Sequence, residues 1–304
     1  MSRSALGLLA LAILAGGALR CCDLGARQLS ADEAATWAAA SAPTIRAVAE
    51  RGWRLNAGKL PIHDIILSGW TRAFGDSEAS MRAVSALLGT LAIVLVFMVA
   101  REMQRLDGER GAAADDEIDG AAAASALVFA TSLMMIKYSR EARMYPLALC
   151  AGLAQVWFFL RASRDGRLVN LAGLAGFTAA AAAVHFSAVL IPLTEGTWLG
   201  YLFARTGFDV RDNAGRRVLV LGCTLAAGAA LLLPAMPAAV ASVSAAASRG
   251  AWNWIATPKA WEPIAFFNRG AGTLAYPLLV ALAGLGVVRG WRRAPDAVRF
   301  AVLW

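Results

Sequence analysis

Residues 83–100 read AVSALLGTLAIVLVFMVA, eighteen positions without a charge, set between Arg82 and Arg101. A helix rising about 1.5 Å per residue needs roughly 20 residues to cross a hydrocarbon layer about 30 Å thick. An uncharged run of this length with arginines at both ends therefore predicts a membrane span. Seven more apolar runs near this length, one of them carrying Glu195, occupy 4–19, 121–136, 144–160, 168–184, 187–203, 218–233 and 274–288. The expected fold is all-α, a polytopic transmembrane helical bundle of eight spans over residues 1–304. A ninth apolar run opens at 297–304 and stops in mid-pattern, from which truncation at the C-terminus is expected.

Composition agrees: 59% of the residues are hydrophobic, 16% are charged, and the mean hydropathy is +0.56. Such a chain has lipid as its main solvent. The net charge of +8 does not point to nucleic acid, because the basic residues lie in short clusters between apolar runs and not on one polar face. They read instead as topology, since arginine and lysine in short loops favour the cytoplasmic side. Arg3 precedes the first run. Arg101, Arg105 and Arg110 follow the second, and Arg161, Arg164 and Arg167 follow the fourth. Arg205, Arg211, Arg216 and Arg217 follow the sixth, and Arg289, Arg292 and Arg293 follow the eighth. The acidic stretch 115–119 then falls in a cytoplasmic loop, as a solvated linker. The first run resembles a signal peptide in length, but Arg20 and two cysteines follow it where a small-x-small cleavage site is needed, so a retained span is expected. Cys21, Cys22, Cys150 and Cys223 have no metal-ligand spacing.

The opposite, external face receives two long segments, 20–82 and 234–272, with short turns at 137–143 and near His185. Within the first, 31–51 and 62–74 have helical composition, punctuated by Gly52, Gly58 and Pro61. Ile62, Ile65, Ile66, Trp70 and Phe74 recur at helical spacing while His63, Asp64 and Arg72 fall on other faces, which predicts an interfacial helix lying on the membrane. Trp252, Trp254 and Trp261 suit the headgroup level.

Several external residues have chemistry to offer. Asp32 and Glu33 are adjacent carboxylates, able to divide proton acceptance from cation binding or orientation. They also fit the first turn of a helix capped by Ser30, and the two roles are compatible. The turn at 137–147 holds Lys137, Tyr138, Arg140, Glu141, Arg143 and Tyr145, and the arginine fork suits phosphate. The same turn also fits an ordinary hydrated connection with snorkelling bases. His63 and His185, the two histidines, could shuttle a proton or ligate a metal, or serve only as interfacial polar groups. Lys59 lies beside Gly58 and Pro61.

Taken together these residues resemble the GT-C superfamily of membrane glycosyltransferases, in the branch of protein O-mannosyltransferases and lipid A aminoarabinose transferases. In that branch an Asp-Glu pair follows the first span, a Gly/Lys/Pro stretch leads into an interfacial helix, and an arginine-tyrosine motif opens a later span. The matching positions are Asp32-Glu33, then Gly58-Lys59-Leu60-Pro61-Ile62 running on to Trp70. They continue with 74–78 before Arg82, and 138–147. The match covers roughly 29–193, with 138–147 its most specific part. Leu60 stands where one of two prolines is common, and His63 follows Pro61 where the branch has a histidine before it.

The resemblance implies a cell-envelope enzyme, multi-pass in the cell membrane, whose active site opens on the external (periplasmic or extracellular) face among membrane lipids. Its donor would be a polyprenyl-phosphate sugar, its acceptor a lipid, glycan or protein, and its outcome inversion. It makes Asp32 the base and Glu33 its support. Lys59, Arg143 and Arg140 would meet the lipid phosphate, with Glu141, Tyr145 and His185 completing the substrate site. Some members bind a divalent metal, for which no ligand set is assignable here. A polytopic transporter or lipid flippase is the alternative, with Glu195 near Pro192 as the one clear mid-span charge. A third possibility is a non-catalytic relative that scaffolds an envelope complex.

Overall fold

The structure, a computed structural model, describes residues 2–106, 112–205, 213–250, 275–293 and 295–303. Among these residues it is all-helical, without a strand. The long helices are α1 (Arg3–Cys21), α5 (Glu78–Met103), α6 (Ala112–Thr131), α8 (Tyr145–Asp165), α9 (Leu168–Val184), α10 (Leu190–Arg205) and α11 (Asn213–Ala230). Shorter ones are α2 (Ala31–Ala40), α3 (Ile45–Leu55), α4 (Ile62–Phe74), α7 (Leu133–Ser139) and α12 (Met236–Ser248), with further helices at Ala275–Arg293 and Pro295–Leu303.

Each of the eight apolar runs lies wholly or mainly on helix. Among the described residues four stretches are long and apolar enough to cross a membrane: Arg3–Cys21, Glu78–Met103, Tyr145–Asp165 and Asn213–Ser248. The run expected at 121–136 is not one straight helix. It bends by 62° between Asp115–Thr131 and Leu133–Ser139, where Ser132 turns to an extended backbone; taken as one span, the pair makes a fifth. Leu168–Val184 is shorter and apolar, and the run at 187–203 begins in a 3-10 turn, Phe186–Val189, ahead of α10. The tryptophans at 252, 254 and 261 lie outside the described residues.

Arg20 reaches the end of α6 beside the bend at 132. Fully buried at the end of α1, it donates from Nη1 to the carbonyls of Gly16 (2.9 Å) and Ala130 (2.8 Å), with Nη2 3.5 Å from that of Phe129. The Ala130 carbonyl, one of those a helix end leaves without an amide partner, is thus met by a guanidinium, while the Ser132 amide reaches back to the Phe129 carbonyl at 3.2 Å. Small residues let these helices come close: a Cβ on Gly16 would sit 2.5 Å from Ile93 Cδ1 of α5 and 2.9 Å from Ala130 Cβ of α6. Close approach through glycine is how helices pack where lipid offers no hydrophobic drive.

α8 packs between α5 and α9, and α9 continues onto α11. Phe159, Leu160, Trp198, Leu225 and Phe300 form the core at the α8–α10–α11 end. The acidic stretch expected as a solvated linker instead forms the opening turns of α6, where Asp115 pairs with Arg105 at 2.9 Å and the buried Asp119 with Arg101 at 2.6 Å.

The segment 31–51, expected as one helical stretch, is two helices separated at Pro43. Gly52 does not break a helix; it lies inside α3, where a Cβ would stand 2.7 Å from Pro61 and 3.0 Å from Asp64 Oδ2, so it serves the close crossing of α3 over α4. α4 is inverted relative to a soluble amphipathic helix. His63, Asp64, Leu67 and Ser68 are buried, while Ile66 and Phe74 are 42% and 64% exposed. α12 docks on α3, with Ser242 Oγ donating to the Trp53 carbonyl at 2.8 Å.

Arg20→Ala would leave the Ala130 carbonyl buried without a donor, a loss of about 1–3 kcal/mol for an unmet buried group. A lowered melting temperature of the detergent-purified variant is the expected result.

Candidate functional site

α2 begins with a capping box. Ser30 Oγ accepts from the Glu33 amide at 3.3 Å, and the Ser30 amide donates to Glu33 Oε2 at 2.9 Å. The capping role expected for this stretch is therefore present, but Glu33 does more than cap. Arg82, near the start of α5, donates from Nε to Glu33 Oε1 (2.8 Å) and from Nη2 to Oε2 (3.0 Å), and the Ala142 amide reaches Oε1 at 2.9 Å. Four donors fill the acceptor sites of this buried carboxylate. Arg82 spends its remaining N–H groups on the carbonyls of Leu24, Arg27 and Gln28 at 2.8, 2.8 and 3.0 Å. Burial alone would raise the Glu33 pKa, but Arg82 and the two amides outweigh it and hold it down at about 2.

Asp32 points elsewhere. Its side chain is exposed, and among the described residues its carboxylate has no hydrogen-bond or ion-pair partner. Its carbonyl accepts from Arg143 Nη1 at 2.9 Å, and the same nitrogen reaches Thr36 Oγ1 (3.0 Å) and Asn56 Oδ1 (2.9 Å). Arg143 Nε is buried without a partner, and no described carboxylate pairs with this guanidinium.

From Arg143 the polar chain runs inward. Asn56 Nδ2 donates to Asp64 Oδ1 at 3.0 Å, and Lys59 Nζ binds Asp64 Oδ2 at 2.8 Å, both ends fully buried. Gly58, at φ +89°, turns the backbone so that the Leu60 amide donates to the Ala183 carbonyl (3.0 Å) and the Phe186 amide to the Gly58 carbonyl (3.4 Å). Those two bonds pin Lys59 to the end of α9, where His185 caps the turn with Nδ1 on Ser187. The His185 ring lies 6.3 Å from that of Tyr145, and Tyr145 lies 5.1 Å from Tyr138. Burial, reinforced by Lys59 and Arg143, lowers the pKa of both histidines, that of the buried His63 well below 6.5. Both are neutral imidazoles at neutral pH.

Asp32, Glu33, Lys59, Arg143, Tyr145 and His185 thus belong to one neighbourhood. Arg140 and Glu141 face an adjoining cavity of about 420 Å³, shared with Lys137, Arg82 and Glu33. Arg140 is tied there to the Cys22 carbonyl at 2.8 Å. The Glu141 pKa is raised, chiefly by burial, with Lys137 pulling the other way and Glu33 adding to the rise. A second, apolar cavity of about 290 Å³ lies against Met134, Met135, Tyr138, Tyr145, Pro146 and Leu149.

Sequence reasoning placed Arg82 inside a motif without giving it a role, and it left out Asn56, Thr36 and Asp64 as contributors. Asp64 had a detectable signal, as an acid on the polar face of a helix whose other face is apolar. Asn56 had none. Among the described residues no three His, Cys, Asp or Glu side chains converge as a metal would need. Glu33 and Asp64 are already committed to cations of the protein. Neither a known family model nor a curated protein matches the chain.

Removing Arg82 would strand Glu33 in a buried site, and Arg82→Ala is expected to cost about 3–5 kcal/mol. The pH dependence has a definite sign. Glu33 is depressed in the folded state, so its contribution is full above about 4.5 and is lost as pH falls toward about 2. Melting curves of the wild type should lose stability across that window, and Glu33→Gln should flatten this component.

Proposed function

We propose that the chain is a membrane glycosyltransferase that moves a sugar from a polyprenyl-phosphate donor to an acceptor at the non-cytoplasmic face, with inversion. One juxtaposition carries the proposal. The Asp32 carboxylate, unpartnered among the described residues, sits on the residue whose carbonyl Arg143 grips, and no described carboxylate pairs with Arg143. A base for an acceptor hydroxyl and a cation for a departing phosphate are thereby held together.

The step balances simply. The acceptor oxygen bonds to the anomeric carbon as the carbon–oxygen bond to the phosphate breaks. Asp32 takes the hydroxyl proton, and the polyprenyl phosphate leaves with the bonding pair. Arg143, backed by Lys59, meets the charge that develops on the leaving oxygen, as preorganised donors do in acyl and phosphoryl transfer. Neutral His185 and the Tyr145 hydroxyl offer hydrogen bonds to sugar or phosphate. The apolar cavity beside Tyr138 and Tyr145 suits the isoprenoid end of the donor. The outward apolar face of α4 suits a helix resting on the bilayer. Glu33 and Arg82 hold Asp32 in place and take no proton. No step is assigned to a metal.

Membranes carrying Asp32→Asn should lose sugar transfer from labelled polyprenyl-phosphate sugars by about 10²–10⁴-fold, the usual worth of a positioned base, while the protein keeps its melting temperature. Wild-type rates in Asp32→Asn would overturn the proposal.

A transporter or flippase is favoured by one observation of its own. Glu195 of α10 is fully buried, held by Gln155 Nε2 at 3.0 Å, with Glu195 Oε1 and Gln155 Oε1 both unmatched. Intramembrane carboxylates often mark a transport path. If the enzyme assignment is right, Glu195→Gln leaves sugar transfer within about twofold, because an amide preserves the shape of a group remote from Asp32. If transport is the function, Glu195→Gln abolishes it and Asp32→Asn does not.

A further inference from the structure

The candidate site sits at the first turns of α5 and α8. At their other ends a cavity of about 700 Å³ opens among α5, α6, α8 and α11. α5 has 26 residues and runs about 39 Å at 1.5 Å per residue, so the two places lie roughly a bilayer apart. Nothing in the proposed reaction uses the second one.

Its charges do not cancel. Five arginines and three carboxylates line it. Arg164 pairs with Glu102 at 3.0 Å, Arg105 with Asp115 at 2.9 Å, and Arg167 more loosely with Asp165 at 3.8 Å. That leaves Arg161 and Arg217. Arg161 lies over the Trp157 ring, 4.9 Å from its centroid, with Nε buried and unpartnered. Arg217 uses Nη1 on the carbonyls of Ser163 and Arg164 at 3.2 and 3.1 Å, which anchors the fork, and no other described residue takes its remaining N–H groups. Among the described residues neither guanidinium is in an ion pair, although Asp165 lies within electrostatic reach of Arg161; one has a donor already stripped of water, and both face a cavity large enough for a headgroup.

The surroundings decide what kind of anion fits. Leu168 and Val169, directly after Arg167, are 82% and 67% exposed, and Leu219 and Val220, just past Arg217, are 52% and 43% exposed. Bare aliphatic side chains begin where the arginines end. A soluble phosphate would satisfy the forks and leave that surface bare, whereas a phospholipid satisfies both.

We propose that Arg161 and Arg217 form a binding site for the phosphate of an anionic phospholipid, with its acyl chains lying along the exposed starts of α9 and α11. Basic pockets between spans are suited to such headgroups, and the arginine fork matches a phosphate's oxygens. The site is independent of the glycosyltransferase proposal.

The test uses the full chain purified in a neutral detergent, with dioleoyl phosphatidylglycerol, dioleoyl phosphatidylcholine and inorganic phosphate as separate probes. Native mass spectrometry and melting temperature are the readouts. Phosphatidylglycerol should be retained as an adduct and raise the melting temperature, and the other two should do neither. Arg161→Gln and Arg217→Gln should each weaken phosphatidylglycerol retention by about tenfold. Arg216→Gln, whose side chain bonds Asn213 outside the cavity, should leave it unchanged. Arg161→Lys keeps the charge and serves if Arg161→Gln does not fold; it should retain part of the binding. Equal stabilisation by inorganic phosphate or phosphatidylcholine would overturn the proposal, as would retention unchanged in Arg161→Gln and Arg217→Gln.

Discussion

The bidentate pair between Arg82 and Glu33 is the constraint on which the candidate site depends. It is buried on both sides, and taking two charges out of water is costly unless every remaining donor and acceptor is met. Here they are. The five N–H groups of the guanidinium go to two carboxylate oxygens and three carbonyls, and the carboxylate gains two backbone amides besides. Because those partners come from the 24–33 segment, from α5 and from the turn before α8, one closed network fixes three distant pieces of chain. A network with no spare capacity is a positioning device, and its chemistry is finished once the protein has folded.

Arg143 is the contrast. It shares the same corner, yet among the described residues only Nη1 makes hydrogen bonds, all to neutral oxygens, and the guanidinium lies over the Tyr145 ring at 5.9 Å. The acid that might have quenched it, Asp64, is held by Lys59 and Asn56. Among the described residues no acid forms an ion pair with Arg143, and Glu141 reaches it only electrostatically. The same logic separates Arg161 and Arg217 from the paired arginines at the far end of the bundle.

Much of this was legible in sequence. Apolar runs near span length became helices, the form in which a segment satisfies its own backbone groups, and α4 fell at Ile62–Phe74 as its periodicity predicts. What periodicity could not supply was which polar groups consume one another. Asn56 reads as a loop residue, and its bridging of Arg143 to Asp64 depends on α3 crossing α4 at Gly52. The contact beside the bend at Ser132 was hidden for a similar reason, since Arg20 and Ala130 are 110 residues apart. The acidic turns of α6 looked like a linker because their partners, Arg101 in the last turn of α5 and Arg105 just past it, belong to another part of the chain.

The fates of Asp32 and Glu33 follow from helix geometry. Successive residues on a helix are turned by about 100°, so two adjacent acids at its start cannot both face inward. The capping box gives Glu33 the inward position by folding it back onto the Ser30 amide, and Arg82 then fixes it. Asp32 is left facing out, on a backbone it shares with a residue that cannot move. Its carbonyl is gripped by Arg143 while its carboxylate stays free. An acid held by its main chain and, among the described residues, unencumbered at its side chain combines a defined position with an exposed carboxylate. Two adjacent acids in a flexible loop could not provide both.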